Sequence, residues 1–313
     1  TKFCGDGSAL TGISGGGFSP DAQENLVAGT DAGKCLSSND TCNVLIGYNA
    51  GCNIGDSTDD DQNVMIGTNA GKASKNANYE VYIGHSAGCG GDGTAHEENI
   101  FIGRYAGSTN CGGCANVYLG RGAGQQRASG NYNVIFGKCA GQCGRGTDNV
   151  LIGREAGRGT NNACSAADNV IIGNNAGCAL ITGGGNVLTG LYAGKQQTTA
   201  SCNTITGANA GSNGAITGTY NNLYGSCAGY NLTTGMRNNA FGNGALRGVT
   251  TGRCNIGIGP LAGYAFDVGC RNILMGYAAG CKISGGNENI AIGRQAMSDG
   301  VVTGEASIAI GNY

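Results

Sequence analysis

Cysteine offers the most chemistry in this chain, at 16 of 313 residues. An even count of that size points to an oxidising, extracellular setting with disulfides. Buried thiols are the alternative, because Cys also favours protein interiors. Cys111-Gly112-Gly113-Cys114 has the C-x-x-C spacing of a redox pair or half a zinc site, but a lone one is better read as a local or cross-coil disulfide. Asp56, Asp59, Asp60 and Asp61 cluster hard oxygen donors that suit Ca²⁺. The plainer reading of that cluster is a solvated acidic loop. The two histidines, His85 and His96, are too few for a typical histidine-based enzyme site. No nucleophile–base pair, carboxylate dyad or metal cluster recurs in register, so the sequence predicts neither catalysis nor a cofactor.

The residues that would have to position any such groups are mostly glycine. There are 63 Gly and only 2 Pro, with 12% charged residues and no Trp. Gly is about three times its usual share, without the Pro of collagen or of a disordered linker. The net charge of −2 and the lack of a basic run argue against nucleic acid and anionic membrane as partners. No apolar stretch approaches the roughly 20 residues that span a bilayer. The chain opens on Thr1 without Met or signal peptide, which reads as a processed piece of something longer.

The glycines recur with a period. Units open at Asn25, Asn43, Asn63, Glu80, Asn99, Asn116, Asn133, Asn149, Asn169, Asn186, Asn203, Asn221, Asn238, Asn255, Asn272, Asn289 and Ser307, spaced 16 to 20 residues apart and most often 17. Four residues after each opener stands Gly, as at Gly47, Gly153 and Gly276. Seven after it stands Ala, as at Ala50, Ala156 and Ala279. Between opener and Gly lie three short apolar residues, such as Val44-Leu45-Ile46, which spell a strand. Gly ends the strand where the backbone turns left-handed or is crowded, and Ala fills a place for one methyl. The rest of each unit varies in length and reads as loop. One strand per 17 residues cannot bury its own face, but stacked copies can. The chain is therefore expected to be all-β: a leading segment over 1–23, then a parallel β-solenoid of about 17 coils over 24–313. The opener Asn side chains are expected to form a ladder.

Strand residues one and three after the opener would share one side, taken as the coil interior. The residue between them would face out: Leu45, Met65, Tyr82, Phe101, Tyr118, Ile135, Leu151 and Ile171. Exposed along a rod of roughly 80 Å at about 4.8 Å per rung, such a stripe calls for a second copy of the chain to cover it. The alternative is a solitary solenoid whose wide coil buries both faces. The stripe thins at Ala240, Gly257, Ala291 and Ala309, which predicts closer approach or narrowing there. Stacking also nominates two cross-coil disulfides, Cys35–Cys52 and Cys254–Cys270, with inter-chain bridges as the alternative.

"NVLIGREAG" resembles the head repeat of Yersinia-type trimeric autotransporter adhesins, a parallel β-roll trimer. "NNAFGNGALRGVTTGRCNIGIGPLAG" (238–263) resembles the repeat arrays of bacteriophage and large-virus tail fibres, as does "FCGDGSALTGI" (3–13). The Cys count is unusual for such fibres. They often carry a C-terminal intramolecular chaperone domain, and with the sequence ending at Tyr313 the expectation is that it is cleaved off or that the chain belongs to another fibre-forming protein. The resemblance implies a lengthwise-packed homotrimer at a cell or virion surface. It would serve as a fibre shaft, with variable loops open to a receptor or glycan. A self-assembling filament of solenoids stacked end to end is the alternative, motivated by the open last strand "SIAIGNY". "IGYNAG" also matches one hexad of hexapeptide acyltransferases, but these need about three apolar hexads per turn where each unit here has one.

Overall fold

The computed structural model describes residues 20–55, 60–90, 96–109, 112–127, 129–160, 164–299 and 304–312. The segment 3–13, Cys111, Asp56 and Asp59 lie outside them. The chain is an all-β parallel solenoid. Three-residue strands, from Leu26–Ala28 to Ile308–Ile310, form one 17-stranded sheet. Each strand pairs in parallel with the next coil without a slip: Val44 on Val64, Val150 on Val170, Ile290 on Ile308. Two further two-residue ladders join neighbouring coils, Ala77–Asn78 with His96–Glu97 and Gln126–Arg127 with Cys143–Gly144.

Each invariant position has a visible cause. The Gly four residues after the opener takes φ near +130°, at Gly153 128°, a region open only to residues without Cβ. A methyl there would lie 2.6 Å from the carbonyl oxygen of Gly173 in the next coil. Two residues later the chain turns left-handed again, as at Asn49 (54°) and Glu155 (57°). The residue just before each opener has φ between 53° and 66° whatever its type, from Glu24 through Tyr132 to Ala306. That conformation costs an ordinary L-residue on the order of 1 kcal/mol. The interlocked stack holds it in place, since these same amides donate to the preceding coil: Cys42 N–H to Gln23 O at 3.1 Å, Arg271 N–H to Arg253 O at 2.9 Å.

The opener Asn residues form the expected ladder, and all are buried. Asn255 donates its backbone N–H (3.1 Å) and side-chain Nδ2 (3.0 Å) to Oδ1 of Asn238, and Nδ2 also to Gly269 O at 2.8 Å. The pattern repeats from Asn43 on Asn25 to Asn289 on Asn272. Each amide thus closes its coil and joins it to the previous one.

The middle strand residue points inward, contrary to the sequence reading. Leu45, Met65, Tyr82, Phe101, Tyr118, Ile135, Leu151 and Ile171 form the core together with the invariant alanines, Ala50, Ala156 and Ala279 among them. These side chains stack rung on rung, as do the rings of Tyr82, Phe101 and Tyr118 at 5.0 and 4.6 Å. Residues one and three after the opener face outward instead. A three-residue strand apolar throughout carries no alternation to mark the buried side. What decides is the hinge at Gly and the inward Ala beyond it, which close the coil on the middle residue.

The core does not simply thin at Ala240, Gly257 and Ala291. Most coils have Gly eight residues after the opener, where a methyl would strike the core: at Gly51 it would sit 2.8 Å from Leu45 Cδ2. Two coils place Leu246 and Met297 at that position. Leu246 is buried, and a methyl on Gly257 would lie 2.7 Å from its Cγ. Met297, in the coil whose middle residue is Ala291, is partly buried and packs against the core from the same position. Volume lost from the strand returns from the turn.

Two substitutions test this packing. Leu246→Gly removes a buried side chain and should cost about 2–4 kcal/mol, while Gly257→Leu alone overpacks. The double variant should recover most of the loss in urea denaturation, because it recreates the common coil; additive losses would refute the exchange. Asn238→Ala strands two buried donors of Asn255 and should cost on the order of 2–5 kcal/mol; a loss below about 1 kcal/mol would show that the ladder contributes little.

Candidate functional site

With the core assigned, the surface to weigh is the outward side of the sheet. Its side chains are Val, Ile or a larger apolar group on most rungs. Ile100, Val134, Phe136, Ile152, Ile172 and Val187 are all substantially exposed, Phe136 by 51%. Thr and Asn interrupt the stripe at Thr189, Thr204, Thr206, Asn222 and Asn239. The apolar character resumes at Ile256, and Tyr224 and Phe241 stack face to face at 5.0 Å. The strands are apolar on both sides, as the sequence suggested. The exposed side is simply the other one, and the eight middle residues from Leu45 to Ile171 cannot touch a partner.

The expected disulfides fail on register. Cys254 and Cys270 differ by one position relative to their openers. Since Ile256 stacks on Ile273, Cys254 faces Arg271 and Cys270 faces Arg253. Cys35 likewise misses Cys52: its carbonyl lies against Gly55, three residues further on. All four are free thiols. Of the C-x-x-C pair only Cys114 lies in the described residues.

The described aspartates of the acidic loop are committed to backbone amides. Asp60 accepts Gly55 N–H at 2.7 Å on one oxygen and Ala77 N–H on the other. Asp61 accepts the N–H and hydroxyl of Thr41, and buried Asp40 accepts the N–H of Asp60 at 2.9 Å. Burial pushes the Asp60 carboxyl up from its usual range, against the lowering effect of those two amides. These carboxylates staple three consecutive loops. Among the described residues no group of three or more His, Cys, Asp or Glu side chains is arranged to hold a metal ion, and no helix is long and apolar enough to cross a membrane.

One ladder position carries a carboxylate instead of an amide. Glu80 is fully buried and accepts Asn99 N–H at 3.1 Å and Asn99 Nδ2 at 3.0 Å. Burial pushes its pKa up to about 8, with the Asn99 bonds opposing. The substitution is plain in the aligned openers, but its burial follows only from the ladder facing inward.

No protein-family model, curated protein or solved structure matches this chain.

Glu80 makes stability depend on pH. Its folded pKa lies above the ordinary value of 4.5, so the folded chain holds the extra proton between the two. The stabilisation is complete below pH about 4.5 and is lost as pH rises through about 8, at up to about 1.4 kcal/mol per unit. Urea midpoints should fall between pH 5 and pH 8, and Glu80→Gln should flatten that fall. Parallel curves for the two proteins would refute the assignment.

Proposed function

We propose that the chain is the shaft of an extracellular or virion-surface fibre, a homotrimer of solenoids packed lengthwise. Its role is mechanical, with the variable loops left open for weak adhesion to a receptor or glycan. The observation that carries this reading is the outward apolar stripe at strand positions one and three. Seventeen rungs at about 4.8 Å give a strip about 80 Å long, and three residues at about 3.3 Å make it about 10 Å wide. The resulting area of roughly 800 Å² per molecule is what one partner gives to a standard interface. Thr and Asn interrupt the strip between Thr189 and Asn239, but the nine unbroken rungs from Leu26 to Ile172 alone present roughly 400 Å² of apolar surface, a size that marks an interaction site on a soluble protein. A flat surface repeating at the rung spacing is best matched by one with the same repeat, which a second copy provides. The likeness of the repeats to tail-fibre and adhesin-head arrays supports three copies.

Light scattering on the eluting species should give three times 31.1 kDa, and negative-stain images should show rods of fixed length. Ile152→Lys combined with Ile172→Lys charges two stacked outward positions and should release monomer with the β-sheet circular dichroism unchanged. A wild-type chain that runs as a clean monomer at micromolar concentration would overturn the proposal.

A further inference from the structure

The longest coils contain an insertion, and one of them brings two cysteines together. Asn149 and Asn169 are 20 residues apart where 17 is usual. The coil before it rejoins this one on both sides of the extra residues. Cys143 N–H donates to Arg158 O at 2.8 Å, and Arg145 N–H donates to Cys164 O at 2.6 Å. Amides two residues apart in one coil thus meet carbonyls six residues apart in the next. Cys164 is delivered back beside Cys143, although the two stand at different distances from their openers.

Gly159 marks how close they are. It adopts φ 76°, and a methyl added to it would lie 2.8 Å from Cys164 Sγ, 3.3 Å from Cys143 Cβ and 2.6 Å from Cys143 O. Cys164 Sγ and Cys143 Cβ therefore border one methyl-sized space, which only glycine leaves open. Both line one small cavity of about 20 Å³, together with Leu151 and Ile171. Cys164 is buried, while Cys143 is half-exposed with its thiol turned to Gln126 Oε1 at 3.1 Å. Rotation about its Cα–Cβ bond turns the sulfur from Gln126 toward the cavity.

We propose that Cys143 and Cys164 form a cross-coil disulfide on exposure to a small-molecule disulfide such as oxidised glutathione. The accessible Cys143 thiolate attacks the reagent, forming a mixed disulfide and expelling one glutathione thiolate. The Cys164 thiolate then attacks the Cys143 sulfur and expels the second. Two protein S–H bonds are lost and one S–S bond forms. The reagent takes the two electrons, and the two protons end on two glutathione thiols. The bond closes the inserted loop and ties two coils where the regular stack is interrupted. Burial and the neighbouring Cys164 raise the Cys143 thiol pKa, so the reaction should run faster at pH 9 than at pH 7.

The test uses the full chain, folded by circular dichroism, equilibrated with a glutathione redox buffer, alkylated and digested without reduction. Fragment-ion sequencing must separate Cys143 from Cys139 and Cys164 from Cys178. The Cys143–Cys164 link should account for most of the Cys164 recovered, and Cys143→Ser should return Cys164 to the alkylated pool with the fold retained. In urea, where the gap no longer exists, the preference for this partner should fall at least tenfold. Cys164 recovered as alkylated thiol or bonded to another cysteine, while exposed Cys42 and Cys202 carry glutathione, would overturn the proposal.

Discussion

In-register stacking is the constraint on which the rest depends. Each coil offers its neighbour the same groups in the same places, so a position that works once must work on every rung. The opener Asn satisfies this directly. Its carbonyl oxygen accepts two donors from the next coil, and its amide reaches one carbonyl in the preceding ladder and one in a loop. An isolated buried Asn would leave hydrogen-bonding capacity unmet, at a cost of about 1–3 kcal/mol per group. A column of them leaves open positions only at its ends. The same logic fixes the glycine, whose neighbour in the stack is another glycine's carbonyl with no room for a methyl between.

Much of this could be read from the sequence because repetition substitutes for comparison with relatives. The coil count, strand positions, Gly and Ala requirements and Asn ladder all follow from Asn43-Val44-Leu45-Ile46-Gly47 and its kin. The side of the strand that is buried does not. Val44, Leu45 and Ile46 are all apolar, so a period of two has nothing to show. A signal did exist elsewhere in the unit. Where the middle residue shrinks to Ala240 or Gly257, Gly gives way to Leu246 four residues after the strand Gly. That exchange makes sense only if both side chains share one interior. The left-handed residues before each opener were equally hidden, because Tyr, Cys, Arg and Glu all occupy them.

Pairings between loops were the least legible. Counting from openers assumes coils of equal length, and this chain varies from 16 to 20 residues. Cys254 and Cys270 miss by one residue in coils of ordinary length. Cys143 and Cys164 approach because an insertion breaks the count, an event the sequence shows only as extra letters. The acidic loop behaves similarly. Asp60 and Asp61 look like ion ligands in sequence, yet in the fold their oxygens, with those of Asp40, accept backbone amides along the loop stack.

The assignment of inside and outside carries every functional statement, and the chain holds a native probe of it. Met65 occupies a middle position and is buried, whereas Met275 occupies an outward position and is 37% exposed. Peroxide oxidation of the two can be followed by mass spectrometry on the chain held monomeric by charged outward substitutions. The account predicts that Met275 converts to sulfoxide at close to the rate of free methionine, while Met65 reacts only as fast as the fold opens. Rapid oxidation of Met65 with protection of Met275 would contradict it.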